Sequence, residues 1–200
     1  MTDLIVLPAT SEQAVVALAD GARVVARSWA AELRADAVDL GLLERAQHAV
    51  RGVVSLRELT AADRQAILVL DRDTHRDYPG SIATQHRPLT ADTAAPSARR
   101  RGFAAFAEAE LVAMTFVDIE GGCGETDFTV VAASWRGQGL ATAVKALSID
   151  TLIAGGVHTF RTGGSLDNQA IVAANRNLGY VQDEEWLTLA VDSGGSPSQD

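Results

Sequence analysis

The chain has 200 residues, of which 47% are hydrophobic and 22% are charged, a balance typical of one globular domain with a short appendage. Its formal net charge of −9 argues against a nucleic-acid partner, because most of the surface would repel a phosphate backbone. No apolar stretch approaches the length of a membrane span, and no signal-peptide pattern opens the chain. We therefore expect a soluble cytoplasmic protein that binds neither nucleic acid nor membrane, as a monomer or homodimer.

Cysteine and histidine usage predicts no metal cofactor. The single cysteine, Cys123, lies in a glycine-rich run and has no second thiol with which to form a disulfide or hold zinc. We interpret it as a loop thiol rather than a nucleophile. The four histidines lack the i, i+4 spacing that would aim two of them at one metal; they are His48, His75, His86 and His158.

The first part of the chain, residues 1–52, is predicted to be a mainly helical extension. Residues 3–7 have the pattern of a short strand, and a helix is expected to follow as far as Gly21. Residues 22–34 and 40–51 are rich in alanine, leucine and arginine, which favours two further helical segments. The sequence alone gives this extension no function.

Residues 53–192 are predicted to form an α+β domain, and residues 193–200 a disordered tail rich in Gly and Ser. The expected elements are strand 53–59, helix 60–70, strands 103–108, 111–119 and 125–132, helix 140–154, strand 158–161, helix 168–177 and strand 186–191. This order, β-α-β-β-β-α-β-α-β, predicts a mixed, mostly antiparallel central sheet flanked by helices. A long loop over residues 75–101 is expected to be functional.

A glycine-rich turn precedes the predicted helix 140–154. Such a turn exposes backbone N–H groups at the positive end of a helix dipole, which suits a phosphate. No Gly-Lys-Ser/Thr follows the glycines, which excludes the phosphate-binding loop of NTPases. Thr142 stands where a dinucleotide fingerprint needs its third glycine. Glycines that only permit tight packing are the alternative.

The turn reads Arg136-Gly137-Gln138-Gly139-Leu140-Ala141 and resembles the R/Q-x-x-G-x-G/A pattern of the GNAT superfamily of N-acyltransferases, which cradles the pyrophosphate of acyl-CoA. A strand at 128–131 leads into the turn, Asn168 stands at the start of the next helix, and Leu178-Gly179-Tyr180 is similar to the family's ending for that helix. The resemblance extends over residues 53–192 with its elements in the family's order.

The resemblance implies an N-acetyltransferase that uses acetyl-CoA as co-substrate and a primary amine of a small molecule or protein as acceptor. The amine would attack the thioester directly in a ternary complex, without a covalent enzyme intermediate. The implied cofactor contacts are Thr129, Val130, Val131, Arg136, Gly137, Gln138, Gly139, Leu140, Ala141, Thr142, Asn168 and Asn175.

The resemblance leaves the catalytic acid and base open. Asn175 stands where many family members have a tyrosine acid, and it is expected either to face the cofactor or to lie on the helix surface. Glu125 matches a glutamate base found in some branches, and Asp127 shares its side of the strand by the two-residue period. Both carboxylates are equally compatible with solvated charges at a strand start. Tyr180 is expected to pack in the core.

Two alternatives remain, one for the whole chain and one for residues 1–52. It is compatible with a non-catalytic acyl-CoA-binding module whose N-terminal helices bind a partner. Residues 1–52 are also compatible with the remains of a degenerate first acyltransferase domain, as in tandem members of the family. Acceptor choice is expected to depend on the loop at 75–101, in which Asp77 and Tyr78 are candidate lining residues.

Overall fold

The computed structural model describes residues 2–77, 82–84 and 86–192; Tyr78 and the predicted tail lie outside them. The described residues form eight strands and five α-helices. Their bounds are β1 Thr2–Pro8, α1 Glu12–Ala19, β2 Arg23–Arg34, α2 Leu40–His48, β3 Ser55–Glu58, α3 Arg64–Thr74, β4 Arg100–Ala107, β5 Glu110–Glu120, β6 Cys123–Val131, α4 Leu140–Ala154, β7 Thr159–Ser165, α5 Gln169–Asn177 and β8 Val181–Asp192.

All eight strands belong to one sheet in the order β1-β8-β2-β7-β6-β5-β4-β3. Every neighbouring pair is antiparallel except β6 and β7, which are parallel. Helices α2, α4 and α5 pack together on one face, whereas α3 packs against β5 and β6 in a separate apolar cluster on the other. The prediction of a mixed, mostly antiparallel α+β sheet is therefore confirmed. Among the described residues, no helix combines the length and apolar character that crossing a membrane requires.

The predicted helix over residues 22–34 is wrong, because these residues form β2. This strand lies between β7 and β8 and pairs with both of them. Trp29, Ala31 and Leu33 are buried at a spacing of two, as expected of a strand with one face in the core. Hydrogen bonding along both edges and this burial outweigh the helix propensity of alanine and arginine, which is only a weak preference. The extension thus contains two strands and two helices.

The parallel pairing of β6 and β7 is short. It joins Cys123 to Thr159 and ends with Glu125 opposite Arg161. Beyond that point the described residues show no pairing between the two strands, and we refer to residues 126–131 and 162–165 as the split. Cys123, predicted to lie in a loop, begins β6 instead.

A β-bulge lies at the start of the split. On the other edge of β6, Thr126 pairs with Val117 and Phe128 pairs with Phe116. Asp127 is therefore an extra residue in β6, which bends the strand and changes the side on which later residues project.

The contact between β2 and β7 gives a prediction about stability. A Cβ atom at Gly163 would lie 2.7 Å from the backbone oxygen of Trp29, whereas one at Gly164 would meet nothing closer than 3.6 Å. We expect Gly163→Ala to force β2 and β7 apart and to lower the free energy of unfolding by about 1–3 kcal/mol. Gly164→Ala is the matched control and is expected to cost less than about 1 kcal/mol. Urea denaturation measures both, and equal losses would contradict this account.

Candidate active site

The N-terminus of α4 presents unpaired backbone donors. Gly137 and Gly139 adopt left-handed conformations, with φ of 76° and 81°, and a Cβ at either would meet open space. Gly139 is the N-cap of α4 and supplies no side-chain cap, whereas side chains cap α1, α2 and α5. The first intrahelical bond runs from the N–H of Ala143, so the N–H groups of residues 140–142 have no partner within the helix. This row of donors can bind an anion such as phosphate.

The side chains of the turn contact the protein itself. Arg136 folds back, donating from Nε to the carbonyl of Val131 at 3.1 Å and from Nη2 to Asp77 at 2.5 Å. Gln138 donates to the carbonyl of Ser134 at 3.5 Å. Arg136 therefore joins the end of β6 to the segment after α3. A ligand at this turn would accordingly bind mainly to its backbone N–H groups.

A cleft of about 210 Å³, here called the α5 cleft, lies beside this turn on the face that carries α4 and α5. Its walls are formed by Asp77, Thr129, Val131, Arg136, Ala141, Asn168, Ala170 and Ile171. Five of the predicted cofactor residues thus meet in one cleft, although their positions in sequence span about forty residues. The side chain of Asn168 also caps α5 by accepting the N–H of Ile171 at 3.3 Å.

Three predicted cofactor residues have side chains elsewhere. The side chain of Val130 lies in the apolar cluster on the α3 face, and that of Leu140, the first residue of α4, is buried in another apolar cluster. Asn175 is 1% exposed, so it lies neither on the helix surface nor in the lining of the α5 cleft. Its Nδ2 donates to the carbonyl of Ile171 at 2.8 Å, while its buried Oδ1 has no partner among the described residues.

A second cleft of about 430 Å³, here called the β2 cleft, opens at the other side of the split. It is lined by Val6, Ser28, Trp29, Ala30, Ala83, Thr84, His86, Glu125, Thr126, Asp127, Gly163, Gly164 and Trp186. Strands β1, β2, β6, β7 and β8 all contribute, together with described residues of the 75–101 loop. Residues of the N-terminal extension therefore form part of this wall.

The two predicted catalytic carboxylates both line the β2 cleft, but in different environments. Asp127 accepts a hydrogen bond from Nη2 of Arg100 at 2.6 Å, and the same guanidinium holds Asp118 at 2.8 Å. Glu125 is exposed and has no hydrogen bond or ion pair within the described part of the chain. The bulge breaks the two-residue period that placed the two side chains on one side. They nevertheless border the same cavity.

The sequence did not reveal a buried Asp71–His86 pair. Asp71 Oδ1 lies 2.6 Å from Nε2 of His86, its Oδ2 accepts the N–H of Leu89 at 2.9 Å, and both side chains of the pair are 4% exposed. The imidazole stacks on Phe128 with ring centroids 4.2 Å apart. This pair ties the loop to α3 and places the imidazole in the wall of the β2 cleft.

The burial of Lys145, the one lysine in the chain, was also not predicted from the sequence. It is 1% exposed, and its Nζ donates to Oγ1 of Thr126 at 3.1 Å and to Oγ1 of Thr162 at 3.2 Å. Burial lowers the pKa of Lys145 to about 7. The ring of Tyr180, which is buried as predicted, lies 5.3 Å from Nζ, and burial raises the pKa of its hydroxyl.

The remaining candidates for metal or thiol chemistry receive no support. The described residues contain no group of three or more His, Cys, Asp or Glu side chains that could hold a metal ion. Burial, followed by the nearby charge of Glu125, raises the pKa of the Cys123 thiol. That shift reduces the thiolate fraction a nucleophilic cysteine needs.

No protein-family model and no curated protein sequence matches the chain, but solved structures do. A GCN5-related N-acetyltransferase from Kribbella flavida superimposes with a TM-score of 0.65 at 17% identity, covering 96% of this chain and 68% of that one. A tandem GNAT protein from the clavulanic acid biosynthesis pathway gives 0.65 at 21% identity, covering 98% and 64%. The ribosomal-protein-S18-alanine N-acetyltransferase from Escherichia coli gives 0.54 at 17% identity, covering 74% and 99%.

These likenesses confirm that the chain has the GNAT fold, as the motif at 136–141 predicted. The chain spans about two thirds of the length of the Kribbella protein and of the tandem protein.

The buried lysine gives a prediction about stability and pH. In the unfolded chain the lysine has its ordinary pKa of 10.5, whereas in the folded protein the pKa is about 7. Between these values the unfolded chain binds the additional proton, so stability rises with pH across this window. We expect the free energy of unfolding of the wild type, relative to Lys145→Met, to rise by up to about 1.4 kcal/mol per pH unit from pH 7 to 10.5. Denaturant titrations at each pH measure the free energy of unfolding of both proteins. Equal changes in the two proteins between pH 7 and 10.5 would contradict the prediction.

Proposed function

We propose that the protein is an acyl-CoA-dependent N-acyltransferase that moves an acetyl group from acetyl-CoA to a primary amine by direct attack in a ternary complex. One observation carries the proposal: the split between β6 and β7 lies between the α5 cleft, next to the uncapped N-terminus of α4, and the acid-lined β2 cleft. Two substrates that enter from opposite sides would meet there. The fold shared with N-acetyltransferases supports this assignment.

The cofactor would bind mainly to backbone groups. Its diphosphate fits the free N–H groups of residues 140–142, where the helix dipole also favours negative charge. Its amide arm fits the edge of β6 beyond Glu125, where no β7 pairing occupies the strand's hydrogen-bonding groups. A backbone N–H of the same edge, near Val131, would then stabilise the negative charge that develops on the thioester oxygen.

The acceptor would enter the β2 cleft as an ammonium ion. Carboxylates attract such a cation, and the indole of Trp186 in the cleft wall adds a favourable contact with it. Glu125 is the better candidate for the base, because Asp127 is held in an ion pair by Arg100. His86 lies in the same wall and is the second proton acceptor to test.

A non-catalytic acyl-CoA-binding module is the alternative function. The observation that favours it is Asn175, which stands in place of a tyrosine acid and is buried. Both functions require the cofactor to bind, so cofactor binding and acetyl transfer have to be measured separately.

The proposed cofactor site gives a prediction about CoA binding. Gly139→Glu introduces a side chain at φ +81° and a negative charge where the diphosphate is expected, so affinity for CoA should fall at least tenfold, or about 1.4 kcal/mol. Gly156→Glu is the matched control, because Gly156 has φ +90° and equally open surroundings just beyond the other end of the same helix. Calorimetry with CoA measures both. No heat with the wild type, or equal losses in both variants, would rule out the proposed cofactor site.

The proposed role of Glu125 as the base gives a prediction about acetyl transfer. With acetyl-CoA and a panel of primary amines, released CoA thiol reports transfer, and Glu125→Gln is expected to lower kcat/KM by about 10²- to 10⁴-fold. Asp127→Asn is the control and should change it by less than about threefold, because that carboxylate is engaged in an ion pair with Arg100 and is not available as a base. A loss in His86→Gln instead would assign the base to His86. CoA binding without transfer to any amine would favour the non-catalytic module.

A further inference from the structure

The β2 cleft runs across the sheet and has two different ends. The strands that line it are neighbours in the order β6, β7, β2, β8 and β1. Because neighbouring strands lie about 4.8 Å apart, Trp186 of β8 stands about 14 Å across the sheet from the carboxylates of β6. Val6 of the edge strand β1 adds an apolar side chain beside the indole. The cleft is therefore acidic where it borders the split and aromatic at its outer end.

The floor between these two ends is built from small residues. Gly163 of β7 pairs with Ala30 of β2, and Ser28 of β2 pairs with Trp186. Residues 28 and 30 project to the same face of β2, opposite to the buried side chain of Trp29. Gly163 is exposed and Ala30 is half-buried. A floor of this kind leaves a level surface on which a flat group can lie.

The indole of Trp186 is held in one orientation at the end of this floor. Its Nε1 donates to Oε2 of Glu184 at 2.8 Å, and Oε1 of Glu184 accepts from Nη2 of Arg161 at 2.7 Å. The indole is half-buried, and its hydrogen bond uses the ring edge rather than the π faces. Trp186 thus presents a preoriented aromatic surface.

One carboxylate in the lining of the cleft has no ion pair within the described part of the chain. Asp127 is paired with Arg100, whereas Glu125 is exposed and unpaired. Three further carboxylates near the cleft already share one guanidinium, that of Arg161; they are Glu32, Asp183 and Glu184. A single cationic group can therefore be matched at the β6 end. A second cation at the aromatic end would lose water without gaining an unpaired carboxylate.

The size of the cleft favours a small molecule. Its volume of about 430 Å³ lies in the lower part of the range for small-molecule sites, which is roughly 300–1,000 Å³. One ring with a short linker to an amino group suits the distance between the acidic and the aromatic ends.

We propose that the acceptor is a small primary amine with a single cationic group and a flat aromatic body. The inference rests on the proposed function and specifies its acceptor. The ammonium lies on the β6 side, next to Glu125 and the split, and the ring lies on the floor against the indole of Trp186. The indole meets the cation as the amine enters and contacts the aromatic body once the amine is bound. Trp186 is therefore a specificity-determining residue.

The first test compares amines with different bodies. Released CoA thiol gives kcat/KM for 2-phenylethylamine, 2-cyclohexylethylamine, ethylamine, 1,4-diaminobutane and a peptide with a free N-terminus. The value for 2-phenylethylamine should exceed that for ethylamine at least about tenfold, because its ring leaves water. It should also exceed that for 2-cyclohexylethylamine, whose ring is not flat. A higher value for the diamine or the peptide would overturn the inference and leave the proposed function intact.

The second test changes the aromatic surface. Trp186→Ala should lower the ratio of kcat/KM for 2-phenylethylamine to kcat/KM for ethylamine about tenfold, mainly through the KM of the aromatic amine. Trp186→Phe keeps an aromatic face and should retain the wild-type ratio within about threefold. Both variants should bind CoA normally in calorimetry, because Trp186 lies outside the α5 cleft. A merely structural role for Trp186 would reduce transfer to both amines alike, and an unchanged ratio in Trp186→Ala would refute the proposed contact.

A third test fills the floor. Ala30→Leu places a branched side chain where the ring is expected and should remove the preference for 2-phenylethylamine over ethylamine, whereas Ala30→Ser adds one atom and should keep it. Urea denaturation shows whether both variants are folded. A wild-type preference in folded Ala30→Leu would contradict the inference. Failure of the wild type to acetylate any amine would instead remove the proposed function, and the inference with it.

Discussion

The arrangement of the site depends on the early end of hydrogen bonding between β6 and β7. A parallel pair that continued to the ends of both strands would close the sheet at this place. The pairing instead stops at Glu125 and Arg161, and a cleft lies at each side of the gap. Three features of the structure meet at this gap. The bulge at Asp127 bends β6, and Lys145 joins the two strands at the point where they separate. The turn before α4 leaves backbone donors unpaired beside the gap.

The N-terminal region is part of this arrangement rather than an appendage. β2 fills the place between β7 and β8, and it contributes Ser28, Trp29 and Ala30 to the β2 cleft. The described part of the 75–101 loop supplies a further section of the same wall through Ala83, Thr84 and His86. Any selectivity exercised in this cleft therefore depends on two distant parts of the chain. Whether residues 1–52 descend from a degenerate acyltransferase domain stays a hypothesis.

Features fixed by short stretches of sequence could be predicted, whereas features fixed by pairing across the fold could not. The turn at 136–141 and the order of strands and helices after residue 52 were correct because local composition and periodicity determine them. β2 was mistaken for a helix because its two strand partners lie more than 120 residues away. Asp71 and His86 have no shared sequence pattern, so only the fold shows their contact. Lys145 did leave a signal: it is the only basic residue in a mostly apolar helix, in which Asp150 is the only other charged residue, and such a composition favours burial of much of the helix.

The bulge in β6 explains how polar groups from both faces of the sheet reach one short segment. In a regular strand, residues 126 and 128 would project to the same face. Because Asp127 is an extra residue, Thr126 points to Lys145 on the α4 face, whereas Phe128 lies against His86 on the α3 face. A buried amino group and a buried carboxylate–imidazole pair thus flank three consecutive residues from opposite sides. Each group stabilises a core less than apolar side chains of similar volume would, and both lie beside the first residues of the split.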